Sequence, residues 1–153
     1  MKAVIQRVSE ASVSVDGKVV AKIGNGMLIL IGVEKGDEET DARRLAAKVS
    51  LLRIFEDGGG KTNLSISDTG GEILAVPQFT LAADVRRGRR PSFDSAADPK
   101  IAIRLFEEFV NTVASSGIHV ERGVFGSHME VSLINDGPFT IYLDSREMQT
   151  ASI

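Results

Sequence analysis

The sequence predicts a mixed α/β fold, a single domain over residues 1–153 in which strands outnumber helices by about seven to two. Three observations lead there. The stretch "SVSVDGKVVAKI" alternates Val13 and Val15 with serine and then turns at Asp16-Gly17, "GMLILIGV" is a short unbroken apolar run, and only two segments switch to a helical period. Two helices cover one face of such a sheet and leave the other to pack on strands. The expected architecture is therefore β/β/α layers or a partly closed barrel with two main helices.

Taken in order, Asp16-Gly17 is the dipeptide most associated with a type I′ hairpin, so the first strands pair antiparallel. "GMLILIGV" is expected to be a central strand. In "DEETDARRLAAKVSLLRIF" a helix places Ala42, Leu45, Ala46, Val49 and Leu52 on one face, with Asp37 as its N-cap. "EDGGGKTNLS" reads as a glycine-rich connection, and "EILAVPQF" as the next strand. A second helix is marked by Asp98 as cap, Pro99 in its first turn, a stripe of Ala102, Leu105, Phe106, Phe109 and Val113, and Gly117 as its stop. The strands "IHVERGVF", "HMEVSLI" and "FTIYLD" follow, and the tail "SREMQTASI" is expected to be loose or to dock on a partner.

Composition narrows the function. The chain of 153 residues is 42% apolar and contains no cysteine, which removes disulfides, thiolate nucleophiles and thiolate metal sites and suits a reducing cytoplasm. Gln6, Arg7, Ser9 and Glu10 interrupt the apolar character of the first fifteen residues, so secretion is not expected. The run "MLILIGV" is far shorter than a bilayer span, and no membrane association is expected. Net charge is −3, yet Arg86, Arg87, Arg89 and Arg90 crowd around Gly88, where guanidinium groups suit phosphates and a solvated basic loop is the alternative.

Several motifs dissolve on inspection. "GGGKT" lacks the glycine a P-loop needs at position 55, where Phe55 stands, and "GNG" at residues 24 to 26 precedes a strand without a third glycine. His119 and His128 are the only histidines, without the spacing of a metal site, and no Gly-x-Ser-x-Gly turn supports a catalytic triad. Two stretches remain. "VPQFTL" offers the amide of Gln78 and the hydroxyl of Thr80 at a strand end just before the arginines, a common place for sites and equally a way to cap a strand. "NDGPFT" puts Asp136, Gly137 and Pro138 between two apolar runs, and its ordinary reading is a hairpin turn.

Together, "PQFTLAADVRRGRRPSF" and "VSLINDGPFTIYL" resemble the bacterial and eukaryotic D-aminoacyl-tRNA deacylases, whose signatures are Ser-Gln-x-Thr and Asn-x-Gly-Pro-x-Thr. The likeness extends to "MKAVIQRVSEASVSVDG" and "GGKTNLS", and so spans essentially the whole chain. The resemblance implies hydrolysis of the ester joining a D-amino acid, or glycine, to tRNA, by a cytoplasmic homodimer that needs no metal or cofactor. It implies a cis Gly137-Pro138 bond whose carbonyls reach into the partner's site and hold the substrate's amino group. An L side chain would then meet the backbone wall.

By the same resemblance, backbone amides near Gln78 and Phe79 stabilise the oxyanion, the tRNA's own 2′-hydroxyl assists water, and Thr80 positions the substrate, with a nucleophilic Thr80 as the other view. Arg86, Arg87, Arg89 and Arg90 would lie along the tRNA acceptor end, and Phe125 and Met129 near the pocket. Two residues depart from the pattern: Pro77 stands where the signature has serine, and Thr62 where methionine is common. Because Pro77 lacks both a hydroxyl and a backbone donor, a tRNA-binding module without turnover is one alternative. A deacylase that prefers L-alanyl or glycyl esters is another.

Overall fold

The computed structural model describes residues 1–148. Its spine is β1 (Lys2–Val15), which turns back into β2 (Lys18–Ile23) through Asp16 and Gly17 at φ 51° and 76°, the positive values a type I′ turn requires. β3 (Gly26–Gly32) pairs antiparallel with the first half of β1. Helix α1 (Glu39–Leu51) follows, then the two-strand ribbon of β4 (Phe55–Glu56) and β5 (Thr62–Leu64), the single turn α2 (Ile66–Thr69) and β6 (Glu72–Pro77). A 3-10 turn (Phe79–Ala82) and the long loop after it lead to α3 (Pro99–Ser115), β7 (Val120–Arg122) and β8 (Glu130–Asp144). β6 lies parallel to both β3 and β7, while β8 runs antiparallel along the other edge of β1.

Two apolar clusters share this curled sheet. On one face Ala3, Ile5, Ile29, Ile31 and Ile73 pack on Leu45 and Val49 of α1 and on Phe106, Phe109 and Val113 of α3. On the other, Val8, Val13, Ile23, Leu28, Leu74 and Val76 close on one another and on Val131 and Leu133 of β8. Helices cover one face and strands fold over the second, the layered, partly closed arrangement the sequence predicts. Phe109 is fully buried where α3 meets the sheet, and truncating it to alanine would cost about 3–5 kcal/mol in lost burial and cavity. Among the described residues no helix is long and apolar enough to cross a membrane.

Local departures from expectation have physical causes. Asp37 does not cap α1. Its carboxylate accepts the Glu34 amide at 2.6 Å and lies 2.8 Å from the Met1 ammonium, both carboxylate and ammonium fully buried, so the cap falls to Glu38, whose amide donates to Asp41 at 2.9 Å. Asp98 and Pro99 do open α3, with the Lys100 amide donating to Asp98 at 2.9 Å. The glycine-rich connection is ordered around Asp57, whose carboxylate accepts the amides of Gly59 and Lys61. The first part of the tail is not loose but docks on its own chain: Ser145 is buried, its hydroxyl accepts from the Met1 ammonium, and Arg146 pairs with Glu34 and Asp37. Residues 149–153 of that tail lie outside the described residues.

The largest departure is β8. "HMEVSLI" and "FTIYLD" are not two strands joined by a hairpin but one strand antiparallel to β1. Gln6 faces Thr140 and Val8 faces Asn135, so residues 136–139 of β8 oppose the single residue Arg7 and bulge out of the ladder.

Candidate active site

β6 ends at Pro77, earlier than the sequence suggests, and the chain tightens into the 3-10 turn at once. The Gln78 amide closes the ladder by donating to the Ile31 carbonyl at 2.7 Å. That amide is therefore spent. The next two, on Phe79 and Thr80, open the turn, and among the described residues neither has an acceptor, as the first amides of any helical turn lack one within it. The turn sits tightly on β3 because residue 32 is glycine: a Cβ there would stand 2.8 Å from Leu81 Cβ and 3.0 Å from the Gln78 carbonyl oxygen. Such distances force something to move.

Gln78 Nε2 donates to Thr80 Oγ1 at 2.5 Å. An amide takes no proton at neutral pH, so this partner orients the hydroxyl without activating it. Around the turn, two cavities meet at Pro77, Gln78, Phe79 and Phe125. One, of about 250 Å³, is lined by Ile31, Ala102 and Phe106; the other, of about 290 Å³, by His128, Met129 and Val131. Phe125 and Met129 are thus pocket walls as well as core neighbours. Among the described residues no group of three His, Cys, Asp or Glu side chains is gathered for a metal.

Pro77 ends the pairing with β7. It stands opposite Ile31 of β3, whose carbonyl is taken by Gln78; its own nitrogen, which by the alternation from Ile73 faces β7, has no hydrogen to donate, and the ladder there closes where Gly123 donates to Ala75. A proline is tolerated as the last residue of a strand, where it forgoes a single terminal bond.

The arginines lie on a loop closed by Asp84 and Ser92, which exchange backbone hydrogen bonds at 2.8 and 2.9 Å. Within it the four are not equivalent. Asp84 accepts Arg86 Nε at 2.9 Å, Nη2 at 2.6 Å and the Arg86 amide at 3.0 Å. This forked grip, the side-chain bonds first and the backbone bond second, holds the Asp84 carboxyl far below the usual carboxylate range and raises Arg86 further. Arg87, Arg89 and Arg90 are exposed and, among the described residues, have no carboxylate within ion-pair distance.

Gly137 and Pro138 occupy the β8 bulge, and the bond between them is cis. The sequence reading did not assign Arg7, the residue opposite. Only 5% exposed, its guanidinium donates Nε to the Asp136 carbonyl at 2.8 Å and Nη1 to the Ile54 carbonyl at 2.7 Å, and lies 4.3 Å from the Phe139 ring centroid. Asn135 pins the base of the bulge, its side-chain amide donating to the Arg7 and Phe139 carbonyls. A signal for Arg7 did exist: it continues the parity of Ala3 and Ile5, the buried side of β1. Gly137 and Pro138 are exposed, and neither lines the cavities around Gln78, so within one chain the two motifs remain apart.

Residues 4–144 match the family model described as D-Tyr-tRNA(Tyr) deacylase. Proteins named D-aminoacyl-tRNA deacylase from Thermomicrobium roseum and Geobacter sulfurreducens are 56% and 54% identical to the chain, over 100% and 99% of its length and 99% and 100% of theirs. A solved structure titled c-Myc DNA Unwinding Element Binding Protein superposes with a TM-score of 0.88 at 37% identity, covering 94% of this chain and 98% of that one. Another, titled as a structural analysis of a probable eukaryotic D-amino acid tRNA deacylase, shares the fold at a TM-score of 0.78 and 18% identity, over 93% of this chain and 97% of that one. With a family match across nearly all of its length and relatives more than half identical, the chain belongs to the D-Tyr-tRNA(Tyr) deacylase family.

Proposed function

We infer that the chain hydrolyses the ester bond of D-aminoacyl-tRNA, releasing the D-amino acid and free tRNA as a proofreading step in translation. The observation that carries this is the pair of unpartnered amides on Phe79 and Thr80 at the start of the turn after β6, where Phe79 lines both cavities. Two fixed N–H groups suit the oxyanion that forms when an ester is attacked, and losing one such donor costs about 2.7–4 kcal/mol in comparable sites. Thr80, held by Gln78, positions the ester; water attacks with help from the neighbouring 2′-hydroxyl of the tRNA.

Stereochemistry comes from backbone in this reading. The whole chain acts as one domain in a cytoplasmic homodimer, and the Gly137-Pro138 bulge of one subunit enters the other's Gln78 site to hold the amino group. The exposure of the bulge and its distance from the Gln78 cavities within one chain support a cross-subunit arrangement. An L side chain is rejected by collision, and glycine, with nothing to collide, is also released. Arg87, Arg89 and Arg90 hold acceptor-end phosphates, while Arg86 is partly committed to Asp84.

The test is hydrolysis of D-tyrosyl-, L-tyrosyl- and glycyl-tRNA at neutral pH with chelator present. Release from the first and third with the second spared is expected; equal release from both tyrosyl esters would end the stereochemical account. A monomer by light scattering at micromolar concentration would end the cross-subunit one.

A further inference from the structure

Phe79 and Phe93 meet edge to face, with ring centroids 5.1 Å apart and planes inclined by 66°, yet they stay 56% and 38% exposed. Both rings give up burial that a core position would supply. Their place is informative. Phe79 carries one of the two unpartnered amides, and Phe93 follows Ser92, whose backbone pairing with Asp84 closes the arginine loop. The ring pair thus joins the turn that carries the amides to the closed base of the loop that bears the unpaired guanidiniums of Arg87, Arg89 and Arg90.

A single-stranded 3′ end presents an ester, bases and phosphates in succession. Its last nucleoside bears the ester at the amides, and the nucleotide before it lies one phosphate further towards the loop. An unpaired base offers an aromatic face, and such bases stack on exposed rings beside basic grooves. We propose that the Phe79–Phe93 pair is the stacking platform for the penultimate base of the tRNA, with the loop arginines holding the flanking phosphates. Three guanidiniums at the rim match a polyanion, which is why this surface is assigned to nucleic acid. The assignment rests on the deacylase reading. Stacking reads no hydrogen-bonding edge, so the platform contributes affinity and alignment without base specificity.

The experiment compares D-tyrosyl esters of adenosine, of the dinucleotide CpA and of whole tRNA, using wild type, Phe93→Ala and Phe93→Trp. Loss of one stacked base by alanine substitution corresponds to roughly 5- to 150-fold. Phe93→Ala is expected to lower kcat/KM by that factor on the CpA and tRNA esters, to leave the adenosine ester within about twofold, and to be rescued by Phe93→Trp. Equal losses on all three esters, or no loss on the CpA ester, would overturn the platform. So would dissociation of the Phe93→Ala protein by light scattering with no difference between esters, which would make the ring a subunit contact. If Phe93→Ala does not fold, competition on wild type decides: CpA must inhibit roughly 5-fold or more better than adenosine 5′-monophosphate. Wild type cleaving none of the esters would sink the deacylase reading itself, whereas wild type cleaving all three with Phe93→Ala indistinguishable sinks the platform alone.

Discussion

Arg7 grips Asp136 twice, donating Nε to its carbonyl at 2.8 Å and lying 3.4 Å from its carboxylate, while Nη1 ties the same guanidinium to the Ile54 carbonyl. One buried side chain on the central strand thus fixes where the β8 bulge projects. Its rigid fork serves two carbonyls at once while its plane covers Phe139, a fixed planar geometry that the point-charge ammonium of lysine lacks. Arg7→Ala is expected to cost about 2–4 kcal/mol, because two carbonyls lose a charged donor. Arg7→Lys should fold and yet lose roughly 10- to 100-fold in kcat/KM, the penalty of a group misplaced by about 1 Å. Denaturant melts beside D-tyrosyl-tRNA hydrolysis check both. A Lys variant with full activity would show that the bulge needs no fork.

Gly32 makes the second positional prediction. It lies on β3, far in sequence from the turn it supports, and a methyl there meets Leu81 Cβ and the Gln78 carbonyl. Gly32→Ala is expected to push the Phe79–Ala82 turn off β3, at a stability cost of about 1–3 kcal/mol. The displaced amides should lower kcat by roughly 100-fold. Adenosine binding by the variant would separate a moved turn from a collapsed pocket.

What the sequence made legible follows from how local each signal is. The β1–β2 turn, the Asp98-Pro99 start of α3 and the buried stripe of that helix are written in neighbouring residues, and the structure has them. The β8 bulge is not local. Asp136, Gly137 and Pro138 look like a hairpin turn until β1 is set beside them, because it is the long partner strand that keeps both halves of β8 in one ladder. The parity of β1 marks Arg7 as buried, but its role was not legible for the same reason, since its partners are 47 and 129 residues away. The site motif was legible through resemblance, but which amides are unpartnered depends on the Gln78 bond to Ile31, a contact across the parallel β3–β6 pair.

The arginine loop yields a prediction in salt. A guanidinium that neutralises a phosphate contributes about 0.7–0.9 to the slope of log K against log salt. Arg87→Ala, Arg89→Ala and Arg90→Ala should each lower the slope for tRNA by about that amount. Arg86→Ala should change it less, and Asp84→Asn should steepen it by freeing Arg86. Because the Asp84 carboxyl is held below its ordinary range, the grip on Arg86 is present above the unfolded carboxylate pKa and is lost only as pH falls through the lower folded value. Mild acid, near pH 5, should therefore leave Arg86 committed. Equal slopes for all four single variants would mean that Asp84 gives way when tRNA arrives.

Pro77 bears on whether turnover survives. As the last residue of β6 it forgoes one terminal bond of the pairing with β7, and its ring forms part of the wall between the two cavities. Pro77→Ser is expected to change stability by less than about 1 kcal/mol and to leave D-tyrosyl-tRNA hydrolysis near the wild-type rate. Hydrolysis that appears only in the serine variant would instead make the natural chain a tRNA-binding module.

Thr80 separates the two chemical readings. Its hydroxyl accepts from Gln78 Nε2 at 2.5 Å, and both orientations of that amide leave it without a base, since neither an amide nitrogen nor an amide oxygen takes a proton near neutral pH. Thr80→Val keeps the shape and removes the oxygen. If the hydroxyl only positions the ester, kcat should fall by roughly 10- to 100-fold, as for other misplaced groups. Loss of a covalent nucleophile is far larger, about 10⁶-fold in a serine protease. Quenched-flow of D-tyrosyl-tRNA with excess wild-type enzyme adds an independent readout. A threonyl ester would accumulate as a burst of tRNA ahead of free D-tyrosine, whereas direct attack by water releases both together. Simultaneous release with a surviving Thr80→Val enzyme would assign the threonine to positioning, while a burst, or a drop of about 10⁶, would make it the nucleophile.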